Sequence, residues 1–284
     1  MVREVLEGLA VRPDRLYVDG TVGEGGHAVA ILSRITQGGE LWGFDRDPMV
    51  LQAAAARLAP FTSRFCLFQK SYAQLGEVLA DAGREGADGI LLDLGLSSYL
   101  LESSGRGFSF QRDEPLDMRF DPGAPGPTAA HLLNTLPPVE LERILREWGE
   151  EPRARLITRN IVAARQRTPF ATTRQLVAAV GAGGRSRRHP ATRVFQALRV
   201  AVNGELDELA RFFAGVPRWL RPGGRLVIIS YHSLEDRLVK QQLLALEKAG
   251  VMWRLTKKPL TPPVAETRSN PRARSAKLRV GERI

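Results

Sequence analysis

The strongest chemical signal in this sequence is a glycine-rich stretch, DGTVGEGGH at residues 19–27, which follows the apolar run LYV. Gly23, Gly25 and Ala28 have the spacing of a loose G-x-G-x-x-G/A fingerprint, in which small residues let a ligand approach the backbone. Asp45 lies 20 residues after Gly25, where a carboxylate can accept hydrogen bonds from both ribose hydroxyls of an adenosine. The spacing therefore favours a cofactor that contains adenosine, either NAD or S-adenosylmethionine.

Three further residues favour the methyl donor over NAD. Asp19 precedes the glycines, and its carboxylate could pair with the α-amino group that S-adenosylmethionine has and NAD lacks. Tyr72 follows a later apolar run, where its ring could stack on adenine, although core packing explains an aromatic there equally well. Asp93 ends another apolar run, and we expect it beside the reacting methyl group, because parallel sheets build their sites at the carboxyl ends of strands.

Apolar runs alternate with helical patterns along much of the chain, which is typical of a parallel sheet covered by helices on both faces. The predicted parallel strands are residues 16–20, 41–45, 65–69, 89–95 and 222–232. The helical patterns between and after them are residues 27–35, 49–58, 72–82 and 233–250. Residues 251–259 and 276–280 could pair as a C-terminal antiparallel hairpin. The sequence therefore predicts an α/β fold with a mostly parallel, doubly wound sheet.

Residues 105–200 interrupt this alternation. They begin with a loop rich in proline and glycine, and continue with helical patterns that no strand-like run separates. We therefore predict two domains. Residues 1–104 and 201–284 form a discontinuous Rossmann-like domain, and residues 105–200 form an inserted all-helical domain that recognises the substrate.

The net charge of +10 is distributed unevenly along the chain. Residues 151–199 contain eleven arginines and a single acid, Glu151, and residues 252–284 contain nine basic residues and two acids. The remaining residues are acidic overall. Two basic segments on an acidic body are the charge pattern of a nucleic-acid-binding protein, although solvated helix faces would give a similar composition.

The composition also restricts the cellular setting. No apolar run approaches the roughly 20 residues of a membrane helix, and the N-terminal residues lack the apolar core of a signal peptide. The single cysteine, Cys66, excludes an internal disulfide, and its apolar surroundings predict a buried thiol. His131 and His189 lie apart from any cluster of metal-ligating residues, so we expect no metal site. These features favour a cytoplasmic protein without a membrane segment.

Six blocks of sequence, taken in order, resemble one enzyme family. They are DGTVGEGGH (19–27), DGILLDLGLSS (88–98), RGFSFQRDEPLDMR (106–119), HPATRVFQALRVAVNGELDEL (189–209), PGGRLVIISYHSLEDRLVK (222–240) and NPRARSAKLR (270–279). The chain resembles the RsmH (MraW) family of S-adenosylmethionine-dependent methyltransferases, which act on N4 of a cytosine in the decoding region of 16S ribosomal RNA. The resemblance implies a class I methyltransferase fold with an inserted helical domain. It also implies S-adenosylmethionine as the cofactor and 16S ribosomal RNA, within the small ribosomal subunit, as the partner.

The resemblance also implies roles for individual residues of the cofactor site. Gly25, Gly26 and His27 match the cofactor loop of the family. Asp45 matches its ribose-binding acid, and Asp93 matches the acid at the end of its fourth strand.

The residues that end and follow the fourth strand are predicted to orient the reacting base. Acceptors at Asp93, Ser97 and Ser98 could bond the N4 hydrogens of cytosine and draw the lone pair out of conjugation with the ring. Amino-methyltransferases use an Asp/Asn-Pro-Pro-aromatic loop at the same sheet position, and DLGLSS departs from that pattern. Relatives carry Pro-Gln after the two serines, with the glutamine contacting the cofactor. Tyr99 and Leu100 stand there in this chain, so a glutamine contact is impossible.

The target base must be presented singly, from a loop or flipped out of a stack. The candidate substrate contacts, all within family blocks, are Arg106, Phe108, Arg119, Arg193, Asn203 and His232. The arginines would hold phosphates, and Phe108, Phe110 or Tyr231 would stack on the base. Core packing is the alternative for each aromatic residue, and a structural role is the alternative for His232.

Three other functions stay open on the sequence alone. A DNA or other RNA amino-methyltransferase would use the same donor site, although the missing proline pair after Asp93 disfavours the DNA enzymes. An NAD-dependent oxidoreductase would use the glycine fingerprint, but no histidine or lysine that polarises a substrate is evident. A non-enzymatic RNA-binding assembly factor would keep the cofactor only as a ligand.

Overall fold

A computed structural model describes the chain at residues 1–36, 38–61, 64–181 and 189–284. These residues form two compact units, Met1–Gly95 together with Leu206–Ile284, and Leu96–Glu205. The boundaries differ from the predicted residues 105 and 200. The second unit begins earlier because Leu96 and Leu100 already pack in its core, and it ends later because Val202 does the same.

The first unit is built on a seven-stranded sheet with the strand order β3-β2-β1-β4-β5-β7-β6. Its strands are β1 (Leu16–Asp19), β2 (Glu40–Asp45), β3 (Phe65–Gln69), β4 (Ala87–Asp93), β5 (Leu220–Ser230), β6 (Met252–Arg254) and β7 (Lys277–Arg283). Strands β1 to β5 are parallel, and β7 runs antiparallel to both β5 and β6. The predicted α/β fold, with a mostly parallel sheet and a C-terminal antiparallel hairpin, is confirmed.

The helices of the described residues belong to both units. In chain order they are α1 (Val2–Leu9), α2 (Gly26–Leu32), α3 (Pro48–Leu58), α4 (Leu75–Asp81), α5 (Ser98–Glu102), α6 (Ala129–Thr135), α7 (Pro138–Glu147), α8 (Ala154–Arg165), α9 (Thr173–Val180), α10 (Ala191–Asn203), α11 (Glu205–Trp219), α12 (Ser233–Lys248) and α13 (Val264–Ser269). None of them has the combination of length and hydropathy that crossing a membrane requires.

Two hydrophobic cores cover the two faces of the sheet, because successive residues of a strand point to opposite faces. In β4, Ile90 and Leu92 belong to one core and Leu91 belongs to the other. The first core contains residues of α4, α11 and α12, and the second contains residues of α1, α2 and α3. Burial on both faces explains why these strands read as near-continuous apolar runs in the sequence.

The thiol of Cys66 is exposed, so the prediction of a buried cysteine is wrong. Cys66 lies in β3, which is the last strand at one edge of the sheet and, among the described strands, pairs with β2 alone. Packing covers an edge strand less completely than a central one, and every residue of β3 is partly or fully exposed. The apolar run around Cys66 therefore indicates a strand without indicating deep burial.

The second unit contains α5 to α10 around a single hydrophobic core. Residues of α7, α8 and α10, such as Leu145, Ile157 and Leu198, are completely buried there. Arg165 at the end of α8 donates from Nη1 to the carbonyl oxygens of Leu133 and Leu136, both at 2.8 Å, and so caps the C-terminal end of α6. In the described part of this unit, the only β-pairing is an isolated bridge.

Trp219, at the end of α11, packs directly against Gly76 of α4 and Gly215 of α11, and a Cβ at either glycine would overlap its indole ring. We expect Gly215→Ala to lower the free energy of unfolding by about 1–3 kcal/mol, the range typical of an overpacked core. Urea denaturation measures the change. Gly123→Ala is the control, because a Cβ at that exposed glycine would meet only a side-chain oxygen of Asp121. Equal stability changes in the two variants would mean that the indole ring of Trp219 does not exclude a Cβ at position 215.

Candidate active site

The glycine-rich loop that joins β1 to α2 is tied to both neighbouring strands. The Thr21 hydroxyl accepts the N–H of Asp93 at 2.6 Å, which fixes the loop to the end of β4. On the other side, Val22 donates its N–H to the carbonyl oxygen of Phe44 at 2.9 Å, which fixes the loop to β2. The loop therefore lies at the carboxyl ends of three adjacent parallel strands, where open α/β sheets bind ligands.

Two glycines of this loop have a left-handed backbone conformation. The φ angle is +52° at Gly23 and +84° at Gly25, which only glycine adopts without a steric penalty. A Cβ at Gly26, the first residue of α2, would meet no other atom within 4 Å. Open space beside a backbone without side chains leaves room for a ligand to approach it closely.

Asp19 ends β1 and is only 1% exposed. Its Oδ1 accepts the N–H of Thr21 at 3.2 Å. Burial raises the pKa of Asp19 to about 7. The charge of His27 and the hydrogen bond from Thr21 oppose this rise, whereas the charges of Asp93 and Asp45 add to it. The ionised carboxylate of Asp19 is therefore poorly compensated by the protein itself.

Asp45 ends β2 and faces the same loop. Its Oδ2 accepts the N–H of Gly23 at 3.2 Å, and its Oδ1 accepts the N–H of Asp47 at 3.0 Å. Burial raises the pKa of Asp45 to about 6 in spite of these hydrogen bonds. Asp45 thus stabilises the left-handed turn at Gly23 and adds a second carboxylate to the site.

Asp93 ends β4, and each of its carboxylate oxygens has a partner. Oδ1 accepts the Tyr231 hydroxyl at 2.8 Å, and Oδ2 lies 3.4 Å from His27 Nε2. Burial alone would lower the pKa of His27, but the hydrogen bond and charge of Asp93, together with the charge of Asp19, raise it above its ordinary value. His27 Nδ1 is buried and has no hydrogen-bond partner among the described residues. A buried polar atom of this kind fits a ligand that completes its hydrogen bonding.

These contacts make the site acidic. The carboxylates of Asp19, Asp45 and Asp93 surround the glycine loop, and His27 lowers the pKa of Asp19 without offsetting the effect of burial. Asp19 and Asp45 have raised pKa values because burial disfavours their ionised forms. A positively charged ligand would stabilise those ionised forms. The residues present therefore fit a ligand that carries a positive charge and donates hydrogen bonds from hydroxyl groups.

Tyr72 lies beside the start of the glycine loop. A Cβ at Gly20 would approach the Cβ of Tyr72 to 2.9 Å, so the two backbones are close neighbours. The ring of Tyr72 packs edge-on against Phe212 at 5.5 Å between centroids. The structure thus brings Tyr72 next to the loop, and one side of its ring contributes to the core.

His232 has a structural role that accounts for its position. It is the N-cap residue of α12, and its Nδ1 accepts the N–H of Glu235 at 3.4 Å. The buried Glu235 reaches back and accepts the N–H groups of His232 and Tyr231 at 3.2 and 2.8 Å. This reciprocal capping favours the structural role of His232 over the predicted substrate contact.

In the second unit, three predicted substrate contacts hold the backbone of one loop. Arg106 donates from Nη1 to the carbonyl oxygens of Arg119 and Phe120 at 3.0 and 2.9 Å. Arg119 forms a two-pronged ion pair with Asp117 at 2.8 and 2.9 Å. Asn203 is 5% exposed; its Oδ1 accepts the N–H of Phe120, and its Nδ2 donates to a carbonyl oxygen of the same loop. These side chains are engaged within the unit, which does not favour the predicted contacts with RNA.

The remaining predicted residues of the second unit differ in their exposure. Phe108 is 6% exposed and stacks on Phe120 at 5.8 Å, so core packing explains it better than stacking on a base. Ser97 is the N-cap residue of α5, where its Oγ accepts the N–H of Leu100 at 3.2 Å. Ser98 and Arg193 are exposed.

Comparison with known proteins decides the family. The sequence model described as the MraW methylase family matches residues 1–284. The chain belongs to this family. Two similar relatives are both named ribosomal RNA small subunit methyltransferase H. The relative from Geotalea daltonii is 48% identical over 99% of this chain and 96% of its own length. The relative from Geobacter sulfurreducens is 47% identical over 100% of this chain and 97% of its own length.

Membership in the MraW methylase family confirms the resemblance seen in the sequence and the prediction of a methyltransferase. One residue of this MraW site was assigned another role at the sequence level. The sequence predicts that Tyr231 stacks on the base or packs in the core, whereas in the structure its hydroxyl donates to Asp93. The signal was present, because Tyr231 directly follows β5 and Asp93 ends β4, and the carboxyl ends of neighbouring parallel strands meet.

The raised pKa of Asp19 gives this MraW-family protein a specific pH dependence. In the folded state the Asp19 carboxyl keeps its proton up to about pH 7. In the unfolded state its pKa has the ordinary value of about 3.9, so it has already lost this proton at lower pH. Stability therefore falls as the pH rises between these values. Asp19→Asn keeps an acceptor for Thr21 but removes the charge. We expect it to raise the free energy of unfolding by about 2–4 kcal/mol at pH 8, with the gain shrinking toward pH 4.

Urea denaturation at several pH values measures this gain. Asp81→Asn is the matched control, because it removes a carboxyl that is exposed. A gain in Asp19→Asn that is independent of pH, or a loss of stability at pH 8, would show that burial does not oppose the charge of Asp19.

Proposed function

We propose that this MraW-family enzyme transfers a methyl group from S-adenosylmethionine to N4 of a cytosine in the decoding region of 16S ribosomal RNA. The proposal rests on the acidic site at the glycine loop, where Asp93 is held at the end of β4. This site belongs to a member of a methylase family. The names of the relatives, which specify ribosomal RNA of the small subunit, support the choice of substrate. The assembled small subunit, in the cytoplasm, is the proposed partner.

The charge of the site favours this cofactor over NAD. A dinucleotide would place two phosphate charges near the carboxylates of Asp19, Asp45 and Asp93, where like charges repel. S-adenosylmethionine carries positive charge instead. Asp19 would hold its α-amino group, and Asp45 would accept hydrogen bonds from the ribose hydroxyls. Gly23, with Gly25, Gly26 and His27 after it, would let the cofactor lie against the backbone, with Tyr72 beside the adenine.

When bound, S-adenosylmethionine supplies a methyl group on an electrophilic sulfonium centre. Asp93 would accept a hydrogen bond from the amino group of the cytosine, which orients N4 and withdraws its lone pair from the ring. The same carboxylate can take the proton that N4 loses once it is methylated. The chain thus contributes chiefly alignment, which is worth up to about 7–11 kcal/mol when the reacting atoms are held in line.

The arginines of the second unit divide into engaged and available side chains. Arg165, Arg174 and Arg199 contact carbonyl oxygens or acids of the unit. Arg155 and Arg159 lie one turn apart on α8, are exposed, and form no ion pair within the described residues. An exposed pair of guanidinium groups at this spacing can contact successive phosphates of an RNA backbone. We propose that these two arginines, with Arg193, hold the ribosomal RNA.

Methyl transfer to small ribosomal subunits that lack the modification tests the reaction directly. After incubation with labelled S-adenosylmethionine, the RNA is digested to nucleosides for mass spectrometry. We expect N4-methylcytidine from the wild-type enzyme and none from Asp93→Ala, because the variant cannot orient N4. Asp81→Ala, at an exposed carboxyl, serves as the control and should be fully active. A methyl group on another atom, transfer only to DNA, or an active Asp93→Ala variant would refute the proposal.

Salt dependence tests the RNA contacts. Replacing Arg155 and Arg159 together by glutamine should weaken binding to the subunits and reduce the slope of log Kd against log salt concentration by about two, one for each phosphate contact. Arg143 and Arg146 provide the control pair, because both already form ion pairs with acids of α7. An equal effect of the two double substitutions would mean that general charge, and not this face of α8, binds the RNA.

A further inference from the structure

Tyr231 connects the ends of two neighbouring strands. Asp93, the last residue of β4, lies opposite Ile229 of β5, and Tyr231 follows two residues later. From there the phenol hydroxyl donates to Oδ1 of Asp93 at 2.8 Å. The side chain thus crosses from the end of β5 to the carboxylate that ends β4.

Both ends of Tyr231 are restrained. Its backbone N–H donates to Oε2 of Glu235 at 2.8 Å, and Glu235 is 3% exposed. Its ring lies against the backbone of Gly95, where φ is +104° and a Cβ would approach ring atom Cδ2 to 3.0 Å. The hydroxyl is therefore placed by the packing around Tyr231, and is not free to follow Asp93 if the carboxylate turns.

The carboxylate of Asp93 is restrained from a second side. Its Oδ2 lies 3.4 Å from His27 Nε2 on α2, while its backbone N–H donates to the hydroxyl of Thr21. A carboxylate with one donor can rotate about its Cβ–Cγ bond, whereas donors on both oxygens fix the plane of the group. Each oxygen can accept further hydrogen bonds, so the fixed carboxylate still has capacity for a substrate amino group.

Tyr231 is a permanent donor in this arrangement. Burial, the charge of Asp93 and the hydrogen bond to it all raise the pKa of Tyr231 above its ordinary value. The phenol therefore keeps its proton throughout the physiological range and cannot serve as a base. Its role toward Asp93 is to orient the carboxylate.

We infer that Tyr231 is a positioning residue for methyl transfer, which fixes the Asp93 carboxylate in the orientation that receives the amino group of the target base. It acts through Asp93 and contacts neither the donor nor the base. The inference rests on the proposed function for the reaction, but the residue and its role go beyond it. It also replaces the sequence-based suggestion that the ring of Tyr231 stacks on the base.

Tyr231→Phe and Tyr231→Leu separate the two roles. Positioning requires the hydroxyl, so both variants should lose about 10- to 100-fold in kcat, the effect of losing a hydrogen bond to a charged group. Affinity for S-adenosylhomocysteine and the KM for ribosomal subunits should change little. Stacking requires the ring, so Tyr231→Phe would keep its activity and Tyr231→Leu would raise KM. That second pattern would overturn the inference.

Tyr17→Phe is the matched control. Tyr17 is 2% exposed, lies in the same unit, and accepts the N–H of Arg12 at 2.7 Å through its hydroxyl. The control should lose stability and keep kcat. Equal losses of kcat in Tyr17→Phe and Tyr231→Phe would mean that a general loss of packing explains both.

Restoring the phenol at position 231 tests the requirement for the hydroxyl donor. Genetically encoded 3-fluorotyrosine at position 231 restores a phenol donor of nearly the same size and greater acidity. We expect it to return kcat to the wild-type range, and failure to do so would contradict positioning by the hydroxyl. No transfer by the wild-type enzyme would overturn the proposed function and this inference together. Normal transfer by wild type and by Tyr231→Phe would overturn this inference alone.

Discussion

Burial of carboxyl groups at one end of the sheet, where Asp19 and Asp45 have raised pKa values, is the constraint on which the first unit depends. Asp19 and Asp45 are held by backbone N–H groups, and Asp93 is held by a hydroxyl and an imidazole. Such donors stabilise an ionised carboxylate while leaving most of its charge in place. The unit thereby keeps a negative potential at the glycine loop and gives up some stability for it, as active sites commonly do.

The same constraint explains why so much of the fold and the site could be predicted from the sequence. Strands buried on both faces read as apolar runs, so Asp19, Asp45 and Asp93 stand out as acids at the ends of three such runs. Parallel strands bring their carboxyl ends to one edge. The juxtaposition of these acids with the glycines therefore follows from topology alone, before any side chain is placed.

Partners across long stretches of chain could not be predicted in this way. Arg106, Arg119 and Asn203 are residue types that bind RNA, yet they hold the backbone of one loop, and Asn203 reaches a partner 83 residues away. A residue type tells which hydrogen bonds a side chain can offer, whereas the tertiary fold decides which group receives them. The exposure of Cys66 was unpredictable for a similar reason, because the sequence does not show which strand lies at the edge of the sheet.

The discontinuity of the first unit has a consequence for synthesis. The chain emerges from the ribosome in order, so the glycine loop and β4 are complete before the whole helical unit, while β5 follows only after it. The last strand, β7, lies between β5 and β6 in the sheet. Tyr231 can contact Asp93 only after β5 has been synthesised, when the residues around the glycine loop are already present. If Tyr231 orients Asp93 as proposed, a chain that ends before β5 has the residues of the glycine loop and Asp93 but lacks the donor that orients this carboxylate.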